Sequence, residues 1–322
     1  MGREVYGSSA AARATFEEAD AVLGYKLSEL CFNGPAERLN ETSVAQPAVL
    51  ATSVAVFEAM VESVTQRIGH RVTDGSEPRG VLALPEHLRP AFVAGHSLGE
   101  FTALVTAGVL SFSDALRLVA ERGSLASTRG AKGAMAAIIG LPVDEVERVI
   151  AATVEKDRVV VANDNGPSQV TIAGDEAGIA AVTGALAKRG ARKVVPLRIS
   201  APFHFPDMGR IGPDLRAFMQ TLRFREPVVP IVANVSGLPH LPSAAAIQET
   251  LVRHLSDRVE WLKSVRYMAE RGASTFVEIG AGQVVNGLVK RIADVKLVNV
   301  SDPSTIAGAI RTLRERTVLS TS

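Results

Sequence analysis

The run Gly95-His96-Ser97-Leu98-Gly99 has the spacing G-x-S-x-G. A strand-like stretch, Phe92-Val93-Ala94, precedes it, and a helix-forming stretch from Glu100 to Ala107 comes after it, closed by Gly108. A serine on such a strand-to-helix turn exposes its Oγ at a helix N-terminus and can act as a nucleophile. The glycines let the backbone turn tightly, and the N–H of Leu98 points toward an oxyanion formed on an attacked carbonyl. The plainer reading is a glycine-flanked N-cap serine. Five residues in a chain with 27 glycines carry little weight alone. The strand before and the helix after carry more.

A nucleophilic serine needs a base. The six histidines are His70, His87, His96, His204, His240 and His254. His96 adjoins Ser97 on a turn where neighbours point apart, so it reads as structural. His70 and His87 fall in a stretch, Gly69–Pro90, that reads as a loop or insertion. His240 and His254 read as surface or satisfied core residues. His204 sits in Ser200-Ala201-Pro202-Phe203-His204-Phe205, where the chain leaves one compact block and re-enters another, a common place for a cleft.

Arg122 has two readings. Late in a helix it could lie in water and interact with the helix dipole. Facing the Ser97 cleft, it could hold a substrate carboxylate through two parallel bonds. Periodicity alone leaves both open. Gly280-Ala281-Gly282 lies between a strand and a helix, but Val285 stands where a dinucleotide fingerprint needs its third glycine. Asn163, Asn165 and Gln169 could bind a ligand, but the turn Asn-Asp-Asn-Gly-Pro explains them adequately.

Several elements must carry these residues. Ala10–Leu23 is a helix, and a second starts near Gln46 with Pro47 in its first turn. A further helix runs from about Ser113 past Arg122. Residues 133–199 alternate strand, helix, strand, strand, helix, strand: Ala134–Leu141, Pro142–Val154, Val159–Ala162, Gln169–Ala173, Asp175–Arg189 and Lys193–Ile199. That is the ferredoxin-like split βαβ order. The expected fold class is α/β: a large domain with a parallel sheet, α/β-hydrolase-like, formed by residues 1–129 and 200–322, and a small ferredoxin-like βαββαβ subdomain at 130–199.

Composition sets the outer bounds. The 322 residues are 47% hydrophobic and 21% charged, enough for a sizeable core. Thirty-five Lys and Arg against 34 Asp and Glu leave a net charge of +1, which supplies no whole-protein field for nucleic acid or an anionic membrane. The single cysteine excludes an intrachain disulfide framework and a Cys-rich zinc site. No uninterrupted apolar run reaches the ~20 residues of a membrane span, and the first residues lack the apolar stretch of a signal peptide. The expectation is a cytoplasmic protein and a monomer.

Gly95-His96-Ser97-Leu98-Gly99-Glu100 resembles the nucleophile motif of the malonyl-CoA:acyl carrier protein transacylases. So does the order of the motifs around it: Gln46-Pro47-Ala48, Arg122-Gly123, Gly133-Ala134-Met135-Ala136-Ala137, Asn165-Gly166-Pro167-Ser168-Gln169-Val170, Phe203-His204 and Val277-Glu278-Ile279-Gly280. The resemblance covers nearly the whole chain. It implies a two-step acyl transfer in which His204 takes the proton of Ser97, malonyl-CoA acylates Ser97, and the phosphopantetheine thiol of acyl carrier protein takes the acyl group. It implies catalytic Ser97 and His204, and substrate-binding Arg122, Leu98, Phe203, Gln46 and Asn163. The partners implied are malonyl-CoA and acyl carrier protein, with no cofactor and no metal. Arg122 would pair with the malonate carboxylate, a backbone carbonyl near Glu260 would orient His204, and the bulk of Phe203 would favour malonyl over a branched extender unit. Carrier protein is acidic in such systems, so a local basic patch near the cleft is expected despite the net charge.

The chain also departs from the pattern. Family members begin with an apolar strand and a Gly-Gln-Gly-containing loop that gives a second oxyanion N–H. Met1-Gly2-Arg3-Glu4 resembles the segment immediately after that loop, so the expectation is a natural protein longer by roughly 15–20 residues, a strand of ~5–6 residues plus loop and turn. Competing readings are a free-standing acyltransferase of a polyketide synthase, a serine esterase, and a catalytically impaired truncated form that still binds carrier protein. An esterase of the α/β-hydrolase type does not call for an arginine at Arg122.

Overall fold

The computed structural model describes residues 1–67, 80–197 and 201–319. Its first helices are α1 (Arg3–Ser8), α2 (Ala10–Leu23), α3 (Leu27–Asn33), α4 (Ala36–Leu39) and α5 (Thr42–Arg67). The Ser9 hydroxyl caps α2 by accepting from Ala12 N–H, and Gly24, at φ 73°, ends it. The α5 helix starts four residues before the expected Gln46, so Pro47 lies inside it rather than in its first turn. The earlier start comes from packing: a Cβ at Gly123 would meet Thr42 O at 2.7 Å and Ser43 Cα at 2.8 Å, so the first turn of α5 lies directly against the backbone of a later helix. The stretch Thr42–Gln66 is long and apolar enough to cross a membrane, and 83% of its most apolar window is buried inside the protein. It is apolar on all sides because other helices cover it.

Of the expected loop Gly69–Pro90, residues 69–79, with His70, lie outside the described residues. Residues 80–90 hold two short 3-10 turns, Gly80–Ala83 and Glu86–Leu88. Then come β1 (Val93–Ala94), α6 (Gly99–Thr106) and α7 (Phe112–Arg129), the last capped by Ser111. The α7 helix buries Ala115, Leu118, Val119, Arg122 and Ala126. Those positions recur at helical spacing, so Arg122 sits in the apolar stripe.

The next stretch runs β2 (Ala134–Ile139), α8 (Val143–Thr153), β3 (Val159–Gly166), β4 (Gln169–Gly174), α9 (Glu176–Lys188) and β5 (Lys193–Pro196). Its four strands form one antiparallel sheet in the order β3-β4-β2-β5. Ile138, Val146, Val161, Ile172, Val182 and Leu186 close over one another in an apolar cluster separate from the main core. The chain then gives a 3-10 turn (Pro206–Ile211), α10 (Gly212–Met219), β6 (Ile231–Val232), α11 (Ala244–Arg253), α12 (Trp261–Glu270), β7 (Thr275–Ile279), α13 (Val284–Val289), β8 (Lys296–Val300) and α14 (Pro303–Leu319).

The fold is mixed α/β, with parallel and antiparallel sheets. The expected single parallel sheet is instead two separate parallel pairs, β1-β6 and β7-β8. Val93 N–H donates to Pro230 O toward β6, so Ala94 N–H points to the opposite edge. Gly280 N–H donates to Val300 O, so Val277 and Ile279 face away from β8 by the same alternation. These outward edges find no ladder between the two pairs among the described residues.

The antiparallel sheet is tied to the rest by backbone. Val259 N–H donates to Ala162 O, and Asp164 N–H donates to Val259 O, each at 2.9 Å. The glycines after β7 hold no dinucleotide fingerprint here. The Glu278 carboxylate accepts from Val285 and Asn286 N–H, filling the helix N-terminus that a phosphate would need.

Candidate active site

Ser97 lies between β1 and α6 with φ 50°, a left-handed conformation that costs a non-glycine residue roughly 1–3 kcal/mol. The turn is close enough that a Cβ at Gly95 would stand 1.9 Å from the Gly99 carbonyl carbon. Glycine at 95 is therefore a steric requirement. The turn presents Ser97 Oγ 2.8 Å from His204 Nε2. His204 also has positive φ, 64°, and only 2% of it is exposed. Its Nδ1 lies 3.0 Å from Asp257 O, so Nδ1 carries the proton and Nε2 is left as the acceptor for Ser97. The orienting carbonyl is thus Asp257, three residues before the expected Glu260. Glu260 stands at the start of α12, and its carbonyl accepts from Ser264.

Burial and then the nearby charge of Arg122 hold the His204 pKa down, from 6.5 to about 3. The imidazole is neutral across the working range of pH, as a general base must be. Leu98, the N-cap of α6, contributes one of the N–H groups that a helix start leaves unpaired, and it adjoins the nucleophile.

Arg122 is 2% exposed. Its Nη1 donates to Gln46 Oε1 at 2.6 Å, and its guanidinium lies 3.8 Å from the centroid of the Phe203 ring and 5.5 Å from that of Phe101. Among the described residues no carboxylate stands within ion-pair distance of it, and Arg122 Nε and Gln46 Nε2 are buried without a partner. Burial lowers the Arg122 pKa to about 9, partly offset by the field of Glu100. A buried cation with a spare donor, beside a second spare donor on Gln46, is built to receive an anion.

The structure thus brings Ser97, His204, Arg122, Phe203, Gln46 and Leu98 to one place. Asn163 is not among them: it sits at a bulge in β3, bridging Thr171 and Val259 through backbone. Its neighbour Asn165 reaches the elbow instead, with Oδ1 2.6 Å from His96 Nε2. The His96 ring also lies edge-on to Trp261, with centroids 5.4 Å apart.

Besides Asp257, two site residues escaped the sequence. His254 is fully buried, its ring centroid 4.9 Å from that of His204 and its Nδ1 3.5 Å from Arg122 Nη2. Burial, with His204 and Arg122 beside it, holds its pKa well below the ordinary value. A lone histidine at a helix end gave no signal. Asn234, just beyond β6, accepts from Ser97 N–H at 2.7 Å. Its only hint is the run of small and polar residues after a strand.

A nucleophile, a base oriented by a carbonyl, an oxyanion donor and an anion-seeking arginine can together acylate and deacylate a serine with an acid-bearing acyl group. The model of the acyl transferase domain matches residues 83–316. The chain belongs to the acyl transferase family. It is 37% identical to the malonyl CoA-acyl carrier protein transacylase of Bacillus subtilis over 98% of this chain and 93% of that one. It is 38% identical to that of Escherichia coli over 92% and 89%. Among solved structures it matches an acyl-carrier-protein S-malonyltransferase from Bartonella henselae with TM-score 0.85 and 35% identity, over 97% of this chain and 94% of that one. The same values describe its likeness to a malonyl-transacylase solved in complex with a type II PKS acyl-carrier protein. An acyltransferase is therefore the enzyme class.

Proposed function

We propose that the protein transfers a malonyl group from malonyl-CoA to the phosphopantetheine thiol of acyl carrier protein, with Ser97 as nucleophile. The observation that carries this is the Ser97 Oγ–His204 Nε2 contact beside a buried arginine with no acid partner among the described residues. His204 Nε2 takes the Ser97 proton as Oγ bonds to the thioester carbonyl carbon. The oxyanion forms toward Leu98 N–H. The C–S bond breaks, His204 returns the proton to the coenzyme A sulfur, and malonyl-Ser97 remains. In the second half, His204 takes the proton of the carrier thiol, sulfur attacks the ester, and the Ser97 oxygen leaves with that proton.

Arg122 and Gln46 hold the distal carboxylate, and this also tunes the base. The charge of Arg122 depresses the His204 pKa, so a bound carboxylate that neutralises Arg122 raises it and makes His204 a stronger acceptor. Phe203, stacked on the guanidinium, fixes its plane and narrows the space beside the α-carbon, which favours malonyl over a branched extender.

The order β3-β4-β2-β5, with α8 and α9 between its strands, supports reading 130–199 as a ferredoxin-like subdomain within a catalytic domain of 1–129 and 200–322. The elbow supports an α/β-hydrolase-like reading of the larger part. No step needs a second subunit or a cofactor, and the reading is of a cytoplasmic monomer. The likeness to a transacylase in complex with a type II PKS acyl-carrier protein favours a second carrier, one of polyketide synthesis. Transfer rates to the two carriers in competition decide between them.

The test is intact mass after incubation with malonyl-CoA. A malonyl increment on the wild type that is absent in Ser97→Ala supports the proposal. A folded wild type with no increment, or an increment retained in Ser97→Ala, refutes it.

A further inference from the structure

We infer that Asn234 is a positioning residue that holds the nucleophile turn in its strained conformation, an inference that rests on Ser97 being the nucleophile. Continuing the parallel register of β1 and β6, Ala94 to Val232, sets Asn234 level with His96, in the middle of the turn. The side chain, in a residue 1% exposed, spans both ends of that turn. Its Oδ1 accepts from Ser97 N–H at 2.7 Å, and its Nδ2 donates to Gly95 O at 2.6 Å. A neutral amide supplies the acceptor and the donor from one planar group.

Asn234 is itself held on both sides. Its backbone N–H donates to Glu100 Oε2 at 2.8 Å, and its carbonyl accepts from Glu260 N–H at 2.7 Å. Glu100 Oε1 lies 2.7 Å from His240 Nε2, and both side chains are wholly buried. The amide therefore fastens the turn to the first turn of α6 and to the start of α12.

The bond to Ser97 N–H consumes that donor, so the free donor that the turn offers an oxyanion is Leu98 N–H. Ser97 at φ 50° stores strain that relaxes if the amide is lost, and a movement of about 1 Å at a reacting atom costs about 10²-fold in rate. Asn234 makes its side-chain bonds to the turn and not to Arg122 or Gln46, so its loss leaves the carboxylate site in place.

The experiment compares wild type with Asn234→Asp, which keeps the acceptor and loses the donor, and with Asn234→Ala, which loses both. Readouts are the single-turnover rate of Ser97 acylation by malonyl-CoA, its KM, and the rate of labelling of Ser97 by a fluorophosphonate. Rates are normalised to folded protein by near-UV circular dichroism. The expected result is a fall of about 100-fold or more in acylation and in labelling for both variants, with KM within about threefold. A merely structural role would lower the folded fraction and leave the normalised rate unchanged. A normalised rate within about threefold of wild type in either variant, or a loss carried by KM, overturns the inference. Should neither variant fold, Glu100→Gln is read in the same way, with a fall of about tenfold in rate at unchanged KM expected and an unchanged rate overturning it. Ser97→Ala is run alongside. If it still acquires the malonyl group, the nucleophile assignment fails; if it does not and the Asn234 variants react normally, only the role given to Asn234 fails.

Discussion

Replacing Arg122 by Met keeps an apolar stem of similar shape and removes the charge. The residue is 2% exposed, so no solvent screens the substrate carboxylate that it would meet. Leaving one charge of a buried pair without its partner costs about 3–5 kcal/mol. At about 1.36 kcal/mol per tenfold, kcat/KM for malonyl-CoA falls by about 10²- to 10⁴-fold. Acetyl-CoA has no distal carboxylate and escapes this loss. Removing the Arg122 charge also lifts one cause of the low His204 pKa, so acetyl transfer stays level or rises. The assay is the rate of acyl-Ser97 formation from each thioester, tracked by intact mass, with the malonyl-to-acetyl ratio as the reported quantity. The substitution also leaves Gln46 Oε1 without its donor, so both rates are normalised to folded protein, and the ratio is insensitive to a shared loss of stability. Equal losses for the two substrates, or an unchanged ratio, would refute the reasoning, since Arg122 would then support the site without recognising the acyl group.

The same geometry sets the remaining expectations. The kcat/KM profile has no acid limb near pH 6.5, because the free-enzyme His204 pKa is pushed down to about 3, whereas the limb for kcat lies at higher pH once malonate neutralises Arg122; a kcat/KM midpoint at 6.5 contradicts this. The same depressed pKa makes stability fully present above the unfolded histidine pKa, about 6.5, and lost as pH falls toward 3, since the unfolded chain binds the proton first; Tm should fall across that window. Gly95→Ala forces a Cβ to within 1.9 Å of Gly99, which should lower stability by about 1–3 kcal/mol and abolish acylation, and a normal Tm with normal activity would show that the turn has more room than this contact allows. The amides of Ala94, Val277 and Ile279 point away from their strand partners and should exchange faster than those of Ile138 and Ile172, whose strands are paired on both sides; equal protection would mean that the two parallel pairs are joined.

Much of the site was legible because its logic is local. Ser97 and Leu98 come from one strand-turn-helix pattern, whereas the spacing of α7 left Arg122 open between water and cleft until the structure buried it. The element order of the small antiparallel sheet was legible too, but not the end of β3: Asn163, Asp164 and Asn165 read as a turn, and the structure keeps them in the strand to Gly166, paired with β4 across two register shifts. Asn234, His254 and Asp257 were not legible. Each reaches the site through long-range register or a helix end, and the role of Asp257 belongs to its backbone, which no side-chain pattern announces. The resemblance points to Asn163, while the side-chain bond to the nucleophile turn comes from Asn165, and the two register shifts that flank these residues in β3 are not announced by the sequence. The start of α5 differs for a similar reason: Pro47 is a good first-turn residue locally, but Gly123 lets the backbone of α7 come close enough to extend the helix back to Thr42.

On the proposed mechanism, the use of a backbone carbonyl to orient His204 is tied to the substrate. Many serine enzymes place a carboxylate behind the histidine, where it fixes the tautomer and stabilises the imidazolium. Here His204 and His254 stand ring against ring, and His254 is within 3.5 Å of Arg122. An aspartate side chain in that cluster would be drawn to the guanidinium, whose Nε has no partner, and would compete with the acyl carboxylate for that buried cation. The Asp257 carbonyl fixes the same tautomer with no charge to offer Arg122. The Asp257 carboxylate itself is turned toward Arg253, with Oδ2 2.8 Å from its Nε. Gln46 fits the same requirement, bonding Arg122 through a neutral amide oxygen that orients the guanidinium and leaves its charge unspent. With Asp257 O behind His204 and Gln46 Oε1 on Arg122, the groups that orient base and cation carry no charge of their own, and on the proposed mechanism this keeps the guanidinium for the acyl carboxylate.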